Sequence, residues 1–96
     1  MSPLNKKQLN ILRQKLDELD GQLLLIIKKR SFLVNEVLKL KVYKKEIIDQ
    51  KRINFILKKI KKKSSKLKID PKITSRIWKN MIWAFIDYEN RNFKKK

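Results

Sequence analysis

Apolar residues recur at alternating steps of three and four through the first 40 residues, and this spacing constrains the fold more than any other feature of the chain. The positions are Leu9, Leu12, Leu16, Leu19, Leu23, Ile26, Leu33, Val37 and Leu40. Such a pattern is typical of the seam of a coiled-coil-like helix. Ser2 followed by Pro3 is a suitable helix start, so we predict one helix from Pro3 to about Tyr43.

Two shorter helices are predicted after the first one. Asp49 is a natural N-cap, and the apolar positions after it are Ile53, Ile56, Leu57 and Ile60. We interpret the basic run over residues 61–66 as a solvated linker. Asp70 followed by Pro71 predicts the start of a third helix. Its apolar stripe is Ile73, Ile77, Met81 and Phe85, with Trp78, Ile82 and Ile86 alongside, and the next step of four reaches Glu89. Residues 92–96 are expected to fray.

The predicted fold class is all-α, with three helices in a single domain over residues 1–96. One Gly and two Pro in the whole chain argue against a turn-rich β fold. At about 1.5 Å per residue the first helix is near 60 Å long, well beyond a compact domain of this size. A second copy of the chain is the simplest cover for the excess length, which predicts a homodimer.

Composition limits the chemistry. The chain has no Cys and no His, which excludes disulfides, thiol and imidazole nucleophiles, and the usual zinc ligands. Lys and Arg number 27 against 9 acidic residues, for a net charge of +18, so we expect an anionic partner. Neither a signal peptide nor an apolar run of the roughly 20 residues that span a bilayer is found, so we expect a cytoplasmic protein with no membrane contact.

The informative basic residues are those on or beside apolar positions. Arg30 occupies a seam position, and Lys41 follows three helical turns later on nearly the same face. Arg13 precedes Arg30 by 17 residues, which places it about 25 Å away along the helix and roughly 100° around it. Arg13 therefore cannot share a small ligand with Arg30 of its own helix. If Arg13 serves the same site, it comes from a second chain.

Each of these positions also has a plain structural interpretation. Arg30 could form a salt bridge with an acid such as Glu36, and Lys41 is more simply a helix-end lysine with its ammonium in water. Asp49 and Arg52 could be a helix cap and a first-turn surface residue. Glu89 could be a surface acid. Periodicity alone leaves these alternatives open.

Several blocks of the sequence, in order, resemble the all-helical (AroQ-class) chorismate mutases. Residues 12–20 (LRQKLDELD), 23–30 (LLLIIKKR) and 37–41 (VLKLK) are similar to the opening helix of that family. Residues 49–52 (DQKR) resemble the start of its second helix, and residues 69–71 (IDP) with 77–82 (IWKNMI) resemble its third. The resemblance implies an intertwined homodimer with shared active sites, which rearrange the dianion chorismate to prephenate in Phe and Tyr biosynthesis. It implies no cofactor and no metal.

The resemblance also assigns roles. Arg13 would reach into the neighbour's pocket, and Arg30 would hold a substrate carboxylate. Lys41 would contact a carboxylate and the ether oxygen of the breaking bond, and Glu89 would face the same oxygen. Asp49 and Arg52 would help to bind substrate. Glu89 can donate a hydrogen bond only when protonated, so activity should decline as the pH rises.

Two residues depart from the family pattern. Ile53 stands where bacterial members usually carry a Glu that binds the ring hydroxyl, and Phe85, a candidate substrate-binding residue, stands where some have a small polar residue. Both changes favour the alternative of an isochorismate pyruvate lyase on the same fold. A remote alternative is a basic nucleic-acid-binding protein, but we find no basic stretch interleaved with exposed aromatic residues and expect no nucleic-acid partner.

Overall fold

The structure of the protein, a computed structural model, describes residues 1–94 and contains three α-helices. They are α1 (Pro3–Leu40), α2 (Gln50–Lys66) and α3 (Pro71–Asn92), with a 3₁₀ turn at Lys44–Glu46 between the first two. Residues 1–94 contain no β-strand. The predicted all-α class is therefore confirmed.

The three helix starts follow the capping residues in the sequence. Ser2, Asp49 and Asp70 each accept a first-turn backbone N–H through a side-chain oxygen, at 2.9 to 3.1 Å. Pro71 occupies the first turn of α3, where its missing N–H costs no hydrogen bond. Local sequence alone is thus sufficient to position the beginning of every helix.

The basic run at residues 61–66 is helical, so our interpretation of it as a solvated linker is wrong. Helix α2 continues through Lys66, and Ser64 within the run is buried. The Ser64 hydroxyl donates to the carbonyl of Ile60 at 2.7 Å and lies 2.7 Å from the hydroxyl of Thr74 on α3. The buried serine and its partner on the next helix keep this lysine-rich segment helical, with the lysines directed to solvent.

Helix α2 ends in a Schellman motif that lacks the usual glycine. The N–H of Ile69 donates to the carbonyl of Ser64 at 2.9 Å, and the N–H of Lys68 donates to Ser65 at 3.2 Å. This arrangement requires a left-handed residue after the C-cap Leu67, and Lys68 supplies it with φ of 58°. The two bonds turn the chain toward the start of α3.

The chain divides into two compact units, Met1–Leu33 and Val34 onward. In the first unit, which holds most of α1, no residue is buried, and the seam leucines are exposed from Leu12 to Leu33. The second unit contains the hydrophobic core. Its buried members are Leu38, Ile47, Ile53, Ile82 and Ile86. The core therefore joins the end of α1, the loop after it, α2 and α3.

The buried face of α3 lies on the side of the predicted stripe that holds Ile82 and Ile86. Ile73 and Ile77 are 55% and 52% exposed in the single chain, whereas Thr74, Ile82, Ile86 and Glu89 are buried. The face turned toward α2 is thus displaced by about one residue, because the Thr74 hydroxyl meets Ser64 there.

Helix α3 ends at Asn92, and Phe93 beyond it packs against the core instead of fraying. Lys95 and Lys96, at the end of the predicted frayed tail, lie outside the described residues.

Among residues 1–94, none of the helices combines the length and the apolar character needed to cross a membrane.

Candidate active site

Lys41 and Glu89, two of the predicted site residues, form an ion pair. The Lys41 ammonium donates to Glu89 Oε2 at 2.7 Å, and the two side chains are 18% and 9% exposed. The simpler interpretation of Lys41 as a helix-end lysine with its ammonium in water is wrong, and so is the interpretation of Glu89 as a surface acid. In this shielded setting salt and water screen the attraction between the two charges less than in an exposed pair.

Helical spacing on α3 explains why Glu89 is buried. Ile82, Ile86 and Glu89 follow one another by steps of four and three, so they share one face of the helix. The two isoleucines are core residues, and Glu89 extends their buried face by one turn. A carboxyl in that position needs a polar partner, and Lys41 provides one.

The end of α1 holds Lys41 opposite α3. Leu38 is a core residue, and the Tyr88 hydroxyl on α3 donates to Asn35 Oδ1 on α1 at 3.3 Å. Lys41 is the first residue after α1, and its N–H donates to the carbonyl of Leu38 at 3.1 Å. The last turn of α1 therefore fixes the origin of the Lys41 side chain.

The loop over residues 41–49 carries two candidate residues, Lys41 and Asp49, and one further acid, Glu46. Asp49 caps α2 by accepting the Arg52 N–H at 3.0 Å. Glu46 Oε2 accepts two loop amides, from Val42 at 2.6 Å and from Tyr43 at 2.8 Å. The bond from Tyr43, followed by the bond from Val42, holds the pKa of Glu46 below its ordinary value of 4.5, and the nearby charges of Lys45 and Lys41 act in the same direction.

An open cleft of about 470 Å³ lies along this loop. Its lining residues are Lys41, Glu46, Ile48, Asp49, Gln50 and Lys51. Two of the predicted site residues, Lys41 and Asp49, therefore border one cavity. Glu46 was missed by the sequence reasoning, because the short 3₁₀ turn that begins after Tyr43 was not anticipated. The available signal was the spacing: Glu46 follows Tyr43 by three residues and Val42 by four, so its side chain can reach back to both amides.

Arg52 lies on α2 but is not among the residues that line this cleft. Its guanidinium carbon lies 5.4 Å from the centre of the Phe55 ring, a cation–π distance, and Lys59 approaches the same ring at 5.7 Å. Phe55 is 54% exposed. Our statement that no exposed aromatic residue is interleaved with basic ones is therefore wrong for this part of α2.

Arg13 and Arg30 both lie on α1 within the first unit. Arg13 is exposed and Arg30 is half-buried. The acid suggested as a partner for Arg30, Glu36, forms an ion pair with Lys39 at 3.0 Å. Within the helix, the 17 residues between the two arginines correspond to about 25 Å, too far to grip one small ligand from a single chain.

Phe85 and Ile53 provide apolar surface in the second unit. Phe85 is half-buried on α3, and Ile53 belongs to the buried core. Ile53 packs among aliphatic side chains at a position where we considered a polar contact to substrate. Among residues 1–94 no cluster of three Asp, Glu, His or Cys side chains is arranged to hold a metal ion.

Comparison with known proteins identifies a family. Residues 12–90, which are most of the chain, match the family described as chorismate mutase type II. No curated protein and no solved structure matches the chain significantly. The matched segment begins beside Arg13 and ends just after Glu89, so it contains every candidate site residue. The chain belongs to the chorismate mutase type II family of all-helical enzymes.

Proposed function

We propose that this protein is a chorismate mutase, a single domain that converts chorismate to prephenate on the route to phenylalanine and tyrosine. The observation that carries the proposal is the 2.7 Å contact between Lys41 and Glu89 within the matched family segment. It places a cation and a carboxyl side by side in a shielded position, where a reacting oxygen could receive two hydrogen bonds.

The reaction suits a chain without thiol or imidazole nucleophiles. Chorismate is a dianion that rearranges in one unimolecular step, in which a C–O bond breaks while a C–C bond forms. The catalyst has to hold the substrate in a compact chair-like geometry and stabilise the charge that builds on the ether oxygen. Cations and hydrogen-bond donors are sufficient for both tasks, and the absence of Cys and His is no obstacle.

Lys41 and Glu89 are the proposed catalytic pair at the ether oxygen, and Arg30 acts with them on a carboxylate. In the substrate-free protein, Lys41 donates to Glu89. Substrate would enter between them, so that Lys41 and a protonated Glu89 both donate to the ether oxygen. Because the negative charge there is larger in the transition state than in the ground state, both bonds lower the barrier.

The remaining site residues bind the substrate. Arg13 and Arg30 would each bind a carboxylate, because a planar guanidinium can donate two parallel hydrogen bonds to its two oxygens. Asp49 and Arg52 would contribute at the start of α2, and Phe85 would supply an apolar wall.

A homodimer with shared sites is part of this proposal. The seam leucines of the first unit are exposed in the single chain, and an apolar stripe of that length is typical of a surface that is covered by another chain. A second copy would cover the stripe and bring its own Arg13 to the neighbour's site.

The test is a prephenate assay on the wild type, Arg30→Ala and Arg13→Ala. Each substitution should lower kcat/KM by at least about a hundredfold, because it removes a charged donor. Arg91→Ala is the matched control, since Arg91 forms an exposed pair with Asp87. Mixing the two inactive variants should restore about a quarter of the wild-type activity, because half of the dimers then contain one intact site. A mixture that stays inactive while heterodimers form contradicts the shared site.

Isochorismate pyruvate lyase is the second candidate, and the environment of Ile53 favours it. Ile53 lies in an aliphatic core and offers no hydrogen bond to a ring hydroxyl. Incubation with chorismate and, separately, with isochorismate distinguishes the two reactions. Prephenate from chorismate supports the mutase, whereas salicylate and pyruvate from isochorismate alone support the lyase.

A further inference from the structure

A single carboxylate oxygen organises the loop between α1 and α2. Glu46 Oε2 accepts the N–H of Val42 at 2.6 Å and the N–H of Tyr43 at 2.8 Å. The Glu46 N–H in turn donates to the carbonyl of Tyr43 at 3.0 Å. Val42 and Tyr43 follow directly after Lys41, so the bonds to Glu46 fix the chain immediately beyond the proposed catalytic lysine.

The loop is anchored on both sides of these bonds. Ile47, the residue after Glu46, is 4% exposed and belongs to the core. Lys41 reaches Glu89 on α3, and Asp49 caps α2. Because Glu46 is covalently next to the buried Ile47, its side chain ties Val42 and Tyr43 to a rigid part of the fold. Without the two hydrogen bonds to Glu46, the chain between Lys41 and the 3₁₀ turn would be held at its ends only.

Glu46 carries a negative charge in a cleft that is proposed to bind an anion. Glu46 and Lys41 line the same cleft, and a carboxylate there repels a dianionic substrate. Two amide donors and the neighbouring Lys45 offset this charge. Because Glu46 Oε2 already accepts two loop amides, its charge brings repulsion to a dianion, and its benefit has to come from ordering the loop.

We propose that Glu46 is a positioning residue, which orders the loop over residues 41–49 and thereby aims Lys41 at the reacting oxygen and Asp49 at the cleft. This inference rests on the proposed mutase function. Glu46 touches no reacting atom and acts through Lys41 and the two amides.

The experiment compares Glu46→Ala and Glu46→Gln by steady-state kinetics and by amide hydrogen exchange. Glu46→Ala removes both acceptor bonds, so the Val42 and Tyr43 amides should exchange faster and kcat should fall about ten- to a hundredfold, the loss expected when a catalytic group is misplaced by about 1 Å. Glu46→Gln keeps an oxygen that can accept both amides and removes the charge. It should restore most of kcat and lower KM for the dianion.

Glu36→Gln and Glu36→Ala are the matched controls. Glu36 forms an exposed pair with Lys39 on α1, so these variants change the net charge equally without touching the loop. Circular dichroism on every variant confirms that the helices are intact. A Glu46→Ala protein with wild-type kcat and KM overturns the inference, and so does a Glu46→Gln protein as impaired as Glu46→Ala.

The two proposals fail in distinguishable ways. A folded wild-type protein with no activity on chorismate or isochorismate overturns the proposed function. In that case the ordering role is judged by exchange alone, and unchanged protection of Val42 and Tyr43 in Glu46→Ala overturns it.

Discussion

The Lys41–Glu89 pair makes the proposed catalysis sensitive to the protonation of one carboxyl. As a carboxylate, Glu89 accepts a bond from Lys41 and cannot donate to an ether oxygen. Once protonated, it becomes a donor and releases Lys41 from an ionic partner. Both changes favour the arrangement needed in the transition state.

We expect Glu89→Ala to lower kcat by at least about a hundredfold, because it removes a donor to the ether oxygen. Glu89→Gln carries a permanent amide donor, so it should retain more of kcat than Glu89→Ala. Steady-state rates of prephenate formation measure both variants. A Glu89→Ala protein with wild-type kcat contradicts the assigned role.

Glu46 should give the loop a pH dependence of its own. Its pKa is lowered by the bonds from Tyr43 and Val42, so its ionised form favours the folded loop. The stabilisation is complete above the ordinary value of 4.5 and is lost as the pH falls through the lowered pKa. NMR titration should show the Val42 and Tyr43 amide shifts changing together below pH 4.5. In Glu46→Gln this joint transition should disappear.

At the scale of elements, the turn between α2 and α3 contains a strained residue. Lys68 has φ of 58°, a left-handed conformation that costs a residue with a Cβ atom about 1 kcal/mol and costs glycine much less. The Schellman bonds from Lys68 and Ile69 hold it there. The strain is the local cost of turning the chain directly from α2 into α3.

Lys68→Gly should raise the free energy of unfolding by about 1 kcal/mol, because glycine adopts the required backbone without the Cβ penalty. Lys68→Ala is the matched control, since it removes the same charge but keeps the Cβ atom. Urea denaturation followed by circular dichroism measures both variants. Equal effects of the two substitutions would show that the lost charge, and not the backbone, determines the change.

The hydroxyl pair between Ser64 and Thr74 is the polar contact that holds these two helices in register. Ser64→Ala leaves the buried Thr74 hydroxyl without its 2.7 Å partner, which should destabilise the fold by about 1–3 kcal/mol. Ser65→Ala is the control, because Ser65 is exposed and has the same helix propensity. Urea midpoints compare the two. If Ser64→Ala is no worse than Ser65→Ala, the pair contributes nothing to the docking of the helices.

At the scale of the whole molecule, the exposed apolar seam and the net charge of +18 act in opposite directions on self-association. The seam favours contact with another chain, whereas like charges on two copies repel one another. Salt screens the repulsion and leaves the apolar contact in place, so association should strengthen as salt is added.

A lysine in the seam should weaken the proposed homodimer. Leu19→Lys places a charge in the apolar stripe, so we expect the dissociation constant to rise by at least about tenfold, as the loss of one buried leucine implies. Gln14→Lys adds the same charge at a polar position of α1 and should have little effect. Sedimentation equilibrium measures both. A wild-type protein that stays monomeric at high salt contradicts the shared-site proposal.

Much of the fold could be predicted from the residues themselves because helix signals are local. The caps at Ser2, Asp49 and Asp70 and the three-four spacing of α1 depend only on near neighbours in the chain. The resemblance in the helix blocks likewise identifies the family, because it needs only the order and spacing of the residues. Arg30 interrupts the apolar seam and Glu89 extends the stripe of α3, whereas the roles of the site residues come from the resemblance.

Contacts between distant residues were beyond such reasoning. The all-α class and the starts of the helices follow from the residues alone, because they depend on interactions within a few positions, and the family follows from the resemblance. The packed fold was needed to show that the run at 61–66 is helical, that Lys41 pairs with Glu89 across 48 residues, and that Glu46 accepts two amides of the loop beside them. These depend on which helix faces meet, and that is settled by burial of the core as a whole and not by any local pattern.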